Sequence, residues 1–219
     1  MDEIVIRWAR TLASFQRLQI LSRLTVAQEM SPTHLGRELQ MPLNSLSGHL
    51  SRLATAGLMK RRRSGGRSYC LAGSPYGPAT LSGMTVAWLR RVLSRPKLTL
   101  AGCADEEVRR LSAEEARTRV HKLVFEAATA FTDLRRLQIL RRLGAGREVT
   151  AEALGKELSM SEWAVRRHTD KLMRRGYLSL RSADRSPVYR LAAKFKTPIH
   201  AGLFEIVRSV WARSKFRTS

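Results

Sequence analysis

The chain has 219 residues, 43% of them hydrophobic, enough to bury two modest cores, and its 40 lysines and arginines against 18 aspartates and glutamates give a net charge of +22. That charge divides evenly, +11 in residues 1–100 and +11 in residues 101–219, and exceeds what solubility requires, so a polyanionic partner is expected, nucleic acid first. Two cysteines exclude a disulfide framework, and with neither a signal peptide nor a long apolar run the expected setting is the cytoplasm, associated with the nucleoid, and not a membrane.

The first apolar positions, Ile4, Val5, Trp8, Leu12, Phe15, Leu18, Leu21 and Leu24, recur at helical spacing. They read as a leading helix and a second one from Phe15 to Leu24, with Ser14 capping between them and both serving as core. Ser31-Pro32-Thr33 opens the next helix, where a first-turn proline sacrifices no hydrogen bond. Leu35 and Leu39 form its inward stripe and Met41-Pro42 breaks it. Leu46, Leu50 and Leu53 then mark a further helix that stops at Gly57 in a left-handed turn. Its other face offers Asn44, Ser45, Ser47, Gly48 and Arg52, groups small or planar enough to approach base edges. Leu58 to Leu71 reads as a basic two-stranded ribbon carrying Arg61, Arg62, Arg63 and Arg67 around a turn at Ser64-Gly65-Gly66. After a loop at Gly73-Ser74-Pro75-Tyr76-Gly77-Pro78, a helix runs from about Ser82 to Ser94 on Met84, Val86, Trp88, Leu89, Val92 and Leu93.

Arg95 to Gly102 reads as a linker, and Asp105-Glu106-Glu107 as a helix start, where carboxylates are favoured by the helix dipole. Leading helices return from Arg119 to Leu143, with Thr132 or Asp133 as the cap. The stretch Leu154–Gly176 then repeats Leu35–Gly57. Leu35/Leu154, Gly36/Gly155, Glu38/Glu157, Leu39/Leu158, Met41/Met160, His49/His168, Leu53/Leu172 and Gly57/Gly176 all stand 119 positions apart, as do Arg17-Leu18-Gln19-Ile20-Leu21 and Arg136-Leu137-Gln138-Ile139-Leu140. One architecture is therefore used twice. In the copy Ser161 caps the second helix, Val165, Thr169 and Leu172 point inward, and Trp163, Arg166, Arg167, Asp170 and Lys171 point outward. The second ribbon, Tyr177 to Leu191, turns around Ala183-Asp184-Arg185-Ser186 and carries Arg181 and Arg185. Matching Tyr69 to Tyr189 raises the offset to 120 there and implies one residue inserted at the hairpin tip. The apolar helix from Pro198 to Lys215 is the counterpart of Ser82–Ser94.

Helix, helix, turn, helix and basic hairpin make a winged helix-turn-helix. The expected fold is mainly α with small β-hairpin wings: two tandem winged helix-turn-helix domains, at 1–95 and 119–219, joined by a linker and acidic helix over 96–118. SLSGHLSRLATAGLMKRRRSGGRSYCL, beginning at Ser45, resembles the ArsR-type regulators. In that family the recognition helix and wing follow Ser-x-His-Leu-x-x-Leu, x-x-Ala-Gly-Leu, a basic strand, Gly-Arg and Tyr-x-Leu. Arg17-Leu18-Gln19-Ile20-Leu21 is similar to the family's Arg-Leu-x-Ile-Leu helix. The resemblance is strong from Trp8 to Ala72 and looser from Phe125 to Ala192. It implies DNA binding. It also implies that the leading helix and the helix after the wing, present in both copies, build within one chain what is normally a two-chain contact; core packing within each half is the alternative.

Metal-sensing relatives carry cysteine pairs where this chain has Thr33-His34-Leu35-Gly36-Arg37-Glu38, and its five histidines are scattered, so no metal and no cofactor are expected. Neither a Gly-rich phosphate loop nor a nucleophile with a base nor paired carboxylates is present, and no catalysis is expected. His49 and His168, at equivalent places, either reach a phosphate or base edge or are half-buried structural residues. Trp163 either packs on deoxyribose or a thymine methyl or braces its helix, the latter being favoured.

The function expected is sequence-specific binding of double-stranded DNA by a transcriptional regulator, a repressor because no activation segment is present, acting as a single-chain pseudo-dimer on an asymmetric site. Arg166 and Arg167 are the candidates for guanine, with Asn44, Ser45 and Ser47 reading more weakly. Gly48, His49, Arg52, Trp163, His168 and Lys171 complete the two reading faces. Arg61, Arg62, Arg63, Arg67, Arg181 and Arg185 are candidates for phosphates or the minor groove. Two other readings stay open: a non-specific architectural DNA-coating protein, and a winged-helix replication or protein-interaction module. Further self-association is also left open.

Overall fold

The apolar stripes fold into a mainly helical chain with two small three-stranded antiparallel sheets. The computed structural model describes residues 1–103, 106–144, 146–181 and 187–215. Two compact units form: a first from Arg10–Phe125, and a second from Met1–Ala9 together with Glu126–Ser219. The stretch 96–118, expected to join two domains, lies inside the first unit.

In the first unit the end of α1 (Asp2–Leu12) meets α2 (Phe15–Ala27). Ser14 occupies the N-cap position but makes no capping bond. The junction is held instead by Arg17, whose Nε donates to the Thr11 carbonyl at 2.6 Å and whose Nη2 donates to the Arg10 carbonyl at 2.7 Å. Those carbonyls belong to the last turn of α1, where a helix supplies no intrahelical donors. Next come β1 (Glu29–Met30) and α3 (Pro32–Glu38), with the Ser31 hydroxyl accepting from the His34 N–H at 3.3 Å. In α4 (Leu43–Thr55) Leu46, Leu50 and Leu53 are buried as their spacing demands. The chain turns at Gly57, φ +69°, where a Cβ would meet Tyr76 Cε2 at 2.8 Å and Ser82 at 3.0 Å, so only glycine fits.

The hairpin β2 (Met59–Ser64) and β3 (Arg67–Ala72) is joined by β1 in the order β1-β3-β2. The expected two-stranded ribbon is thus three-stranded; β1 is two residues long, too short to show alternation in the sequence. After α5 (Leu81–Ser94), the expected linker is a helix, α6 (Pro96–Ala101), whose Leu100 is fully buried and whose Thr99 hydroxyl donates to the Val92 carbonyl at 3.0 Å. A 3-10 turn (Glu106–Arg110) precedes α7 (Ala113–Thr129). Ser112 and Glu115 exchange side-chain and backbone bonds at 3.2 and 2.7 Å, a capping box that gives Glu115 a structural role.

The second unit repeats the order with α8 (Leu134–Leu143), β4 (Val149–Thr150), α9 (Ala151–Leu158), α10 (Glu162–Arg174), β5 (Leu178–Arg181), β6 (Val188–Leu191) and α11 (Pro198–Lys215). Asp133 is the cap of α8, accepting from the N–H groups of Arg135 and Arg136; Ser161 caps α10 through the Ala164 N–H. At the centre, fully buried Tyr177 packs edge-on to Phe131 at 5.2 Å, and its hydroxyl donates to the carbonyls of Ala127 and His200, each at 3.3 Å. Gly176 turns the chain at φ +72°.

The strand registers correct the expected insertion. Met30 faces Cys70 in the first sheet and Val149 faces Tyr189 in the second, while Arg62 faces Tyr69 and Arg181 faces Val188. Every one of these residues stands 119 positions from its counterpart. The hairpins are of equal length, and Tyr189 occupies the place of Cys70, not of Tyr69. Cys70 and Tyr189 are both buried, whereas Tyr69 is half-exposed. Matching residue type misled the sequence alignment because a buried tyrosine on one strand and a surface tyrosine on the other sit on opposite faces of the pleat.

Candidate nucleic-acid interface

Helix α4 turns its unburied side to solvent. Asn44, Ser45, Ser47, Gly48 and Arg52 are all exposed, opposite the buried Leu46, Leu50 and Leu53. A Cβ added at Gly48 would meet nothing within 4 Å, so this surface is open to close backbone approach. His49 is half-buried on the flank of the helix. Burial first, then the Arg17 and Arg52 guanidiniums, push its pKa down, so it adds no charge to the face.

The sequence from Leu39 to Ala104 contains no aspartate or glutamate. Arg61, Arg63 and Arg67 are exposed on the hairpin, and their side chains form no ion pair or hydrogen bond with a described residue. Arg62 is different. Its Nη2 donates to Glu29 Oε1 at 2.7 Å, its Nε to Oε2 at 3.1 Å, and its guanidinium lies 5.5 Å from the centre of the Tyr69 ring. The hydrogen bonds to Glu29 and that carboxylate's charge hold the Arg62 pKa above its ordinary value.

Helix α10 presents a different surface. Trp163 is 69% exposed, and its ring carries the Arg167 guanidinium 5.0 Å from the centroid. The expected bracing role is overturned: Trp163 sits two residues before Val165, which puts it on the far side of the helix from the buried stripe. Arg166 reaches back one turn to Glu162, with Nη2 donating to Oε1 at 2.6 Å and Nε at 3.2 Å. Such exposed same-helix pairs contribute little and exchange readily. Arg167 carries no carboxylate partner among the described residues, so it is the freer cation of the two.

His168 is buried, its Nδ1 3.6 Å from Asp133 Oδ1, so it reaches no external phosphate or base. Burial lowers its pKa against the opposing pull of Asp133, with Arg167, Arg136 and Arg135 assisting. The inward placement follows from its spacing of three from Val165 and four from Leu172. Lys171 is half-buried; burial and then Arg175, Arg174 and Arg136 push its pKa down. Arg181 meets Glu148 at 3.4 Å, and Arg190 shares the same carboxylate at 3.5 Å. Arg185 lies outside the described residues.

Sequence reasoning therefore missed Glu29 and Glu148. Glu29 opens its short strand, Glu148 immediately precedes its own, and each stands 33 residues before the arginine it holds. The repeat itself was the available signal, since Glu148 and Arg181 fall at the same offset as the rest of the copy. Elsewhere, Cys70 and Cys103 form no disulfide, and Cys70 is buried with its thiol pKa raised by that burial. Among the described residues no three His, Cys, Asp or Glu side chains converge to hold a metal, and no helix is long and apolar enough to cross a membrane. No protein-family model matches the chain, and no curated protein or solved structure matches it either.

Proposed function

We propose that the chain is a non-enzymatic, sequence-specific binder of double-stranded DNA, built from two tandem winged helix-turn-helix units and acting as a transcriptional repressor. In this reading α4 and α10 enter major grooves, and the hairpins β2–β3 and β5–β6 are wings lying along the backbone. The observation that carries it is the surface of the first unit: a solvent-facing helix side of small polar groups continuing into a hairpin with three unpaired arginines, all within an acid-free stretch from Leu39 to Ala104. Phosphate contacts supply affinity and register, and base-edge contacts supply sequence.

The two reading faces differ. Helix α4 offers Asn44, Ser45 and Ser47, while α10 offers Arg166, Arg167 and the exposed Trp163 indole, suited to a thymine methyl or a sugar face. A single chain carrying both would act as a pseudo-dimer on an asymmetric site, its half-sites roughly 34 Å apart on consecutive turns of one duplex.

The rival reading, a protein that coats DNA without preference, is favoured by the short, weakly coding side chains of α4. Equilibrium competition separates them. Genomic fragments recovered with the protein are labelled and challenged with bulk DNA at fixed salt. A specificity ratio of about a thousand or more supports the regulator, and a ratio near unity supports coating.

A further inference from the structure

We infer that Glu29 and Glu148 are restraining carboxylates: each holds a hairpin arginine, Arg62 or Arg181, in the DNA-free protein and must be displaced by a phosphate before that arginine grips the duplex. The inference rests on the DNA-binding reading above and adds to it a device that limits non-specific affinity.

The same two positions pair in both units, Arg62 through a bidentate contact and Arg181 through a single contact at 3.4 Å. Glu29 lies at the start of β1, the strand hydrogen-bonded to β3, and receives both donors of Arg62 on the neighbouring β2. Glu148 immediately precedes β4 and receives Arg181 at the end of β5. Both pairs are partly exposed, with side chains between about one-third and two-thirds accessible. Solvent-exposed ion pairs add little to stability, so folding gives weak reason for the same pair to sit at the same place twice.

Charge gives a stronger reason. Glu29 is a carboxylate set directly against a hairpin that contains none of its own. An arginine held by a carboxylate releases no counterion from DNA until it changes partner, and the carboxylate itself repels the phosphate that would take its place. Non-specific binding is almost wholly phosphate contact, so this penalty falls on it in full, whereas a specific site adds base contacts that offset it. In the second unit Arg190 also leans on Glu148, so one carboxylate restrains two cations there.

The test is a salt titration of the full chain on a random-sequence duplex of about 30 base pairs, long enough for two half-sites one turn apart. Glu29→Gln and Glu148→Gln keep the side-chain size and remove the charge. The double variant should bind at least about threefold tighter at moderate salt, with log affinity against log salt steeper by about 0.9 for each phosphate gained. Glu205→Gln makes the charge change of either single variant on α11, where Glu205 pairs with Arg208 within one helix, and should leave the slope unchanged. Adding Arg62→Gln and Arg181→Gln to the double variant should abolish the gain. If the glutamines leave affinity and slope as they were, weaken binding, or act no differently from Glu205→Gln, the restraint is overturned. If the unaltered chain fails to bind the duplex at all, the DNA-binding reading itself is overturned.

Discussion

Arg17 and Arg136, at the same place in the two copies, perform the same act. Each crosses from the start of its helix to the end of the preceding one, Arg17 to the carbonyls of Thr11 and Arg10, Arg136 to those of Ala130 and Thr129 at 3.1 Å each. Burial lowers both guanidinium pKa values without discharging either group. These arginines are charged braces closing the helix corner from which each unit is built.

Replacing either brace by methionine keeps the stem and removes both guanidinium bonds to the last carbonyls of the preceding helix. Arg17→Met or Arg136→Met should each cost roughly 2–3 kcal/mol, because two charge-assisted bonds to part-buried backbone acceptors are lost. Denaturant unfolding measures this directly. A loss no greater than that of the exposed Arg91→Met would show that the bonds carry no stability.

The glycine stops are sharper still. At Gly176 a Cβ would lie 2.5 Å from Lys196 Cβ and 3.1 Å from its backbone nitrogen, and at Gly57 it would press on Tyr76 and Ser82. Both positions have positive φ, so alanine adds backbone strain to the clash. Gly176→Ala and Gly57→Ala should each destabilise by about 1–3 kcal/mol, whereas alanine at open Gly48, on a helix face, should be neutral or mildly stabilising. Thermal melts of the three variants decide it.

Stability should also fall with acid. Burial holds His121 and His200 at about 4, Arg117 assisting at the first and Lys196 at the second, with Glu114 and Glu126 opposing. The folded chain keeps both rings neutral while the unfolded chain protonates them below about 6.5. The stabilisation is therefore fully present above pH 6.5 and is lost progressively as pH falls towards 4. It amounts to at most roughly 3 kcal/mol per ring. Replacing both rings with glutamine should flatten the unfolding free energy between pH 7 and 5 relative to the parent; an unchanged slope would place the rings' titration elsewhere.

On α10, Trp163 and Arg167 form one exposed unit. Trp163→Ala should weaken binding to a preferred duplex by roughly tenfold, with little effect on unfolding, since the indole is largely exposed in the free protein. Arg166→Ala should act similarly but less, because Arg166 first gives up Glu162. Fluorescence anisotropy on the preferred and a scrambled duplex measures both. Equal losses on the two duplexes would remove these residues from base recognition.

Much of the fold was legible because its signals are local. Leucine stripes at helical spacing, the Ser161 cap and the glycines after α4 and α10 fall where their physics places them. What escaped was set by tertiary pairing. The two-residue strands β1 and β4 exist only because β3 and β6 pair with them, and α6 is tied down by Leu100 and Thr99, contacts no window of sequence displays. The site was legible by face and not by partner. Asn44, Ser45, Ser47, Gly48 and Arg52 project outward as their spacing requires, yet His168 shows that one step around the helix buries a residue. The hold of Glu29 on Arg62 joins residues 33 apart through strand pairing and shows in the sequence only through its repetition, whereas Glu162 and Arg166 stand at the i, i+4 spacing of a helix.

Two chemically different reading surfaces in one chain are the centre of the proposal, and selection from a pool of random duplexes tests them most directly. The recovered sequences should align to a motif with two unlike blocks about one helical turn apart, and selection with Arg167→Ala should blur one block while leaving the other intact. Recovery of no common motif, or of a palindrome whose halves both blur in the variant, would contradict it.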